Sequence, residues 1–235
     1  MTRSLTWLLA LALLLFAAWL RLRHLGYTEI WEDQAITLNM ALEWVHGGAL
    51  PLASMKSSFG VFNPPLIEYL YALPLFFKPD ILGVAWLTAL ANLAGVLVAG
   101  LATARVFGER VGWWATLLFA VNPWAVYYGR LIWMQSFVPG FSSLLYACVL
   151  LYFTVDAKPI YLALAALCLS ATVQVHLTAA VLGLPLLLIG LCFLRRLKFW
   201  PIAAGLTLAL VSFAPFVLFQ FRSGFADWPA LRAGL

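Results

Sequence analysis

The stretch Ile81–Val106, ILGVAWLTALANLAGVLVAGLATARV, carries no charge before Arg105. At about 1.5 Å of rise per residue, a helix of this length exceeds the roughly 30 Å of a bilayer's hydrocarbon core. Six other apolar runs read the same way: Leu5–Leu20, Val111–Tyr128, Phe137–Val155, Ile160–Val175, Leu177–Leu194 and Phe199–Phe221. Arg21 and Arg23 extend the first to Leu25 by snorkelling. A helix satisfies its own backbone polar groups inside lipid, and no alternating barrel pattern is present. The fold class is therefore all-α, a polytopic transmembrane helical bundle of about seven spans. Composition excludes a soluble domain, since 65% of residues are apolar and 10% charged, and the mean hydropathy is +0.98.

No small-x-small cleavage site follows the first run, only Arg21-Leu22-Arg23-His24, so it reads as a retained span rather than a secretory signal. Cys148, Cys168 and Cys192 fall inside predicted spans as packing residues, with no metal or disulfide spacing. A net charge of +5 is not a nucleic-acid signature here, because the basic residues sit in short loops, most tightly at Arg195-Arg196-Leu197-Lys198. With seven spans and an internal N-terminus, the inner side collects Arg3, Arg105, Arg110, Lys158, Arg195, Arg196 and Lys198. The outer side collects Arg21, Arg23, Lys56, Lys78, Arg130, Arg222 and Arg232. That is a tie, and the Arg195 cluster tips it toward a cytoplasmic loop.

The segment Pro64–Phe77 is apolar but too short to span, and it holds Glu68 and Pro74. It is expected to be an interfacial or partly inserted helix. Residues 21–80 thus form a first outer loop, the sizeable polar part of a single membrane domain covering 1–235. Within it, Leu38, Ala41, Leu42 and Val45 make the apolar stripe of an amphipathic surface helix from Gln34 to His46, stopped by Gly47-Gly48. Met40 and Trp44 are available to the headgroup zone.

At the start of that helix stands Trp31-Glu32-Asp33-Gln34-Ala35, two adjacent acids between long apolar runs. Asp33 suits an N-cap, and equally a catalytic carboxylate. Further on come Asn63-Pro64-Pro65, then Tyr128-Gly129-Arg130 with Gln135 after it, then Gln174-Val175-His176 at a turn between spans. Arg130 is either a snorkelling helix-end residue or a phosphate ligand. His176 is either a turn residue or a ligand contact.

This order of motifs resembles the N-terminal half of the GT-C membrane glycosyltransferases, similar to the protein mannosyltransferases and the lipid A aminoarabinose transferases. The resemblance implies a multi-pass enzyme of the cell membrane, in a bacterium the inner membrane, that transfers a sugar from a polyprenyl-phosphate donor to a lipid, glycan or protein acceptor on the outer face. It also implies Asp33 as the base that takes the acceptor proton, with Glu32 as helper or substitute. The family's second acid of the first loop is Gln34 here. Its acid after the Arg-containing segment is Gln135, and the Lys before the first Pro is Asn63. Substrate contacts then fall to Arg130, Gln135, His176, Gln174 and Asn63. Tyr27, Trp31, Tyr127, Tyr128 and Trp133 read first as interfacial belt and packing rings, and alternatively as rings to line a sugar. No cofactor is required and no three-ligand metal spacing exists, although Glu32 and Asp33 leave room for a divalent ion.

Two other classes compete with the enzyme reading. A transporter or flippase would place ionisable residues mid-span, where this chain is nearly charge-free. A noncatalytic or truncated subunit is suggested because GT-C enzymes are about twice this long, and Phe221–Trp228 reads as the start of another outer loop. A partner subunit or a missing C-terminal half is the corresponding expectation.

Overall fold

The computed structural model describes residues 3–233. Its regular elements are helices: α1 (Arg3–Leu22), α2 (Glu32–Val45), α3 (Leu66–Leu75), α4 (Ile81–Phe107), α5 (Glu109–Val121), α6 (Pro123–Tyr128), α7 (Val138–Thr154), α8 (Pro159–Val175), α9 (Gly183–Cys192), α10 (Phe199–Arg222) and α11 (Trp228–Ala233). Among the described residues the only β-pairing is an isolated bridge between Lys56 and Phe62.

Close contacts between small residues fix the direction of each pass. Gly100 of α4 lies against Thr116 of α5, Gly95 of α4 against Gly140 of α7, and Gly205 of α10 against Ala163 and Ala166 of α8. Such residues let helix backbones approach in lipid, where burial of apolar surface drives little association. Leu145 and Cys148 of α7 pack with Ala165 and Cys168 of α8. Along this bundle the chain runs through α1, α4, α5–α6, α7, α8, α9 and α10 in turn, about seven passes. Leu8–Tyr27, Ile81–Phe107, Met134–Thr154 and Phe199–Arg222 are long and apolar enough to cross a bilayer, while Pro159–Val175 and Leu177–Cys192 are shorter.

Two passes differ from the uniform spans expected. Val111–Tyr128 is broken at Asn122, whose extended backbone (φ −57°, ψ 120°) ends α5 and whose Oδ1 accepts the Ala125 N–H to start α6. Pro123 is the cause, because it disfavours helix at the residue before it and has no N–H to give the carbonyl four residues back. The pass after α8 opens as a 3-10 helix, Leu177–Leu182, before α9.

Arg21 does not snorkel. It is fully buried, and its Nη1 donates to the Ala17 and Ala120 carbonyls at 3.3 and 2.9 Å while Nη2 donates to Phe119 O at 3.1 Å. Phe119 O is the acceptor that Pro123 leaves without an N–H, so the guanidinium replaces a missing helix bond and meets the negative end of the α5 dipole. Arg23, by contrast, is exposed and lies over the Trp19 ring, 4.2 Å from its centroid.

At the same end, α2 and α3 pack on the bundle. Leu38 and Ala41 of α2 join Ile67, Tyr71, Ala72 and Leu75 of α3, Val84, Ala85 and Ala89 of α4, and Val175 of α8 in the largest core cluster. Trp44 turns inward against Tyr69 and Phe76 at 5.3 and 5.2 Å, so it fills this module rather than reaching for headgroups. A hairpin, residues 54–63, is clasped by Asp227, which accepts the Phe62 N–H at 2.9 Å and a bond from Gln220 Nε2. The turns at the opposite end are Gly108, Asp156–Lys158 and Leu194–Lys198, the last held by Tyr152 Oη donating to Arg196 O at 2.6 Å.

Candidate functional site

Glu32, Asp33, Asn63, Arg130, Gln135, Gln174 and His176 all lie toward the α2–α3 end of the bundle. They are not one constellation. Trp31 is the residue that caps α2, in extended backbone, and Glu32 and Asp33 occupy the first turn. Gln34 closes the turn by accepting the Trp31 N–H on Oε1 at 3.0 Å. That is the back-bond of a capping box, so Asp33 is not consumed as the cap. Both acids are solvent-exposed, and no salt bridge among the described residues involves them. They are free carboxylates at the positive end of a helix dipole.

Arg130 sits in the link between α6 and the 3-10 turn Met134–Phe137. Two features hold it there. Gly129 passes so close to Asn92 of α4 that a Cβ would stand 2.6 Å from the Ala125 carbonyl and 3.1 Å from Asn92 Cγ. Asn92, buried, donates from Nδ2 to Thr88 O at 3.0 Å and Ser136 O at 2.7 Å, pinning the far side of the link to α4. The end of α1 supplies the other wall. His24 adopts a left-handed backbone (φ 58°), which turns the chain out of the helix. It also points the Arg23 and His24 carbonyls at Arg130 Nη2, at 2.5 and 3.3 Å. Thr28 Oγ donates back to Arg130 O at 3.3 Å.

Between these walls lies a cleft of about 130 Å³ lined by His24, Tyr27, Thr28, Glu29, Tyr127 and Arg130, among others. Tyr127 Oη donates to Glu29 Oε2 at 3.3 Å. Arg130 Nε has no partner, and burial together with the charge of Arg23 holds its pKa below the usual guanidinium value. A guanidinium lining a small cleft, beside a second arginine and with no ion pair among the described residues, is suited to an anion. Tyr128 belongs to an aromatic ladder, stacked on Trp124 at 5.6 Å and tilted to Trp133 at 5.5 Å.

The other expected contacts stand elsewhere. Gln174 is buried between α8 and α10, its Nε2 donating to Ser170 Oγ at 3.1 Å and Ser212 Oγ at 2.7 Å, and it serves as an interhelical clasp. Asn63 is buried in the hairpin with Nδ2 on Met55 O at 3.0 Å. Gln135 keeps a buried Oε1 without a partner. His176 is half-buried after α8, with its pKa pushed down by burial. Among the described residues no group of three His, Cys, Asp or Glu is placed to hold a metal.

Two acids were not among the site residues expected from the sequence. Glu29 lines the Arg130 cleft, and no local pattern marks it. Glu68 is fully buried on α3, accepting from Ser54 Oγ while its Oε2 and the nearby Tyr71 Oη lack partners. Its register was a usable signal, since Glu68 shares a helix face with Tyr71, Ala72 and Leu75 at i+3, i+4 and i+7.

No protein-family model matches the chain, and no curated protein matches it. Among solved structures the fold is similar to that of ArnT from Cupriavidus metallidurans, solved bound to undecaprenyl phosphate, with a TM-score of 0.70 at 18% sequence identity. The likeness covers 96% of this chain and 42% of that one. The chain thus spans less than half of that protein's length, and at this identity the likeness establishes the fold, a polytopic membrane bundle of the kind ArnT has.

Proposed function

We propose that the chain carries the catalytic end of a membrane glycosyltransferase that moves a sugar from a polyprenyl-phosphate donor to an acceptor hydroxyl on the outer side of the membrane. The observation that carries this reading is Arg130, anchored through Nη2 on the Arg23 and His24 carbonyls and lining a cleft in a bundle of ArnT-like fold. ArnT was solved with undecaprenyl phosphate, and the tetrahedral phosphate of a polyprenyl phosphate offers pairs of oxygens that a planar guanidinium can bind bidentately.

In the proposed reaction Asp33 takes the proton of the acceptor hydroxyl, whose oxygen attacks the anomeric carbon. The bond from that carbon to the phosphate oxygen breaks, and the electron pair leaves on the polyprenyl phosphate. Arg130 stabilises the charge that develops there. Asp33 fits the role because its carboxylate is exposed and Gln34 has taken over the capping work.

The donor half of the reading is tested with undecaprenyl phosphate as probe, its retention by the purified chain measured by native mass spectrometry. Arg130→Ala is expected to lower retention at least tenfold. Arg130→Lys lowers it by less, since charge is kept and the fork is lost. Retention unchanged in both variants overturns the assignment of Arg130 to phosphate.

A further inference from the structure

Between α1, α4 and α5, in the half of the bundle away from Arg130, lies an apolar groove of about 710 Å³. Its shape follows from how α1 is anchored. Near its C-terminal end α1 is locked to the bundle by Ala17 against Val96 and Ala120, and by the Arg21 guanidinium on the α5 carbonyls. Below that point α4 and α5 stay in close contact through Gly100 with Thr116 and Ala104 with Gly112. The groove between that pair and α1 is walled by Ala10, Leu14, Leu97, Leu101 and Trp113. Thr116 does not make it polar, because its hydroxyl donates to Gly112 O at 2.8 Å.

An open groove of this size lined by Leu offers water almost no partners and suits a hydrocarbon chain. The occupant is set by length and charge. From Leu97 to Arg105 along α4 is about 12 Å at helical rise, close to the roughly 15 Å of one leaflet's half of the hydrocarbon core. Arg105 and Glu109 stand at the open end. Arg110 follows at once in sequence, and Lys158 is near enough to Arg105 to feel its charge. Asp156 is already paired with Lys158 at 2.7 Å, so basic groups outnumber free acids at this mouth. We propose that the groove is a phospholipid site, taking one acyl chain of an anionic phospholipid from the leaflet at the Arg105 end, with the headgroup phosphate against Arg105. A prenyl chain whose phosphate sat at Arg130 would have to enter from the opposite end.

The test is native mass spectrometry of the full chain released from mixed phosphatidylglycerol and phosphatidylcholine vesicles. One phosphatidylglycerol per chain is expected to persist in the wild type. Leu101→Trp, which fills the groove from an exposed wall position, should abolish retention while the melting temperature holds. If that variant does not fold, Ala10→Phe on the facing wall is read in its place. Arg105→Gln should cut the preference for phosphatidylglycerol about fivefold, the effect of one basic residue at a membrane surface. Equal retention in the folded groove-filling variant overturns the proposal. So does one-for-one displacement of the phosphatidylglycerol by undecaprenyl phosphate, which would give the groove to a prenyl chain.

Discussion

Glu68 shows how much a single buried acid can set. Burial pushes its pKa from the ordinary 4.5 up to about 7, and the bond from Ser54 only partly opposes this. The unfolded chain releases this proton near 4.5 while the fold retains it to about 7. The favourable contribution is therefore complete below 4.5, declines as pH rises, and is lost above about 7, a span of about 3 kcal/mol at most. Glu68→Gln should flatten that decline, so that its melting temperature exceeds the wild type's at pH 8 and differs little at pH 4.5. Parallel melting curves at the two pH values would show that Glu68 is not the titrating group. Asp33 calls for the opposite kind of test. Asn preserves its shape and removes the proton acceptor, so in a complete transferase assay Asp33→Asn should lower turnover by roughly 10²-fold or more with stability unchanged. Retained turnover would move the search for the base to Glu32 and then to Glu29, which lines the Arg130 cleft. The polar identity of the loop after α1 was legible because acids are rare in such a composition. Glu29 was not, because Tyr127 and Arg130, which form the facing wall of its cleft, lie about a hundred positions away.

At the scale of elements, most helices were legible as apolar runs, and the failures have local causes. The surface helix was expected from Gln34 and begins at Glu32, since the Gln34 side chain reaches back to the Trp31 N–H. The break between α5 and α6 was missed, although Asn122-Pro123 signals one: a proline removes an acceptor's partner whatever the hydropathy around it. The buried Arg21 is the complement of that break, and the pair makes a measurable prediction. Arg21→Met leaves the Phe119 and Ala120 carbonyls unpaired in an apolar setting and should destabilise the bundle by about 2–4 kcal/mol. Pro123→Ala restores an N–H four residues after Phe119. Built into the Arg21→Met background, it should return about 1 kcal/mol or more of that loss. Strict additivity of the two changes, measured as unfolding free energies in detergent, would mean that Arg21 does not act through the helix break.

At the scale of the whole molecule, counting loop charges in the sequence gave seven basic residues to each side, and the structure shows why that count misleads. Three of the seven at the Asp33 end are not simple loop charges: Arg21 is buried on helix carbonyls, Arg23 lies over Trp19, and Arg130 is tied to the Arg23 and His24 carbonyls. Lys78 there is paired with Asp80 at 2.8 Å, as Lys158 at the other end is with Asp156 at 2.7 Å, and Arg196 there donates to Phe153 O at 3.2 Å. At the other end Arg105, Arg110, Arg195 and Lys198 occur in no salt bridge among the described residues, and Arg105, Arg110, Arg195 and Arg196 are exposed. The exposed basic cluster at the Arg195 end favours that loop for the cytoplasm, and the expected orientation then has Asp33 and the Arg130 cleft outside. Impermeant thiol labelling of whole cells decides this, once Cys148, Cys168 and Cys192 are replaced by Ala. Asp33→Cys should label from outside and Leu197→Cys only after the membrane is opened. The reverse pattern would invert the molecule and remove outward-facing transfer from consideration. Labelling of both positions from one side would mean that one of the three passes formed by α5–α6, α8 and α9 does not cross, and each of those is either broken or short.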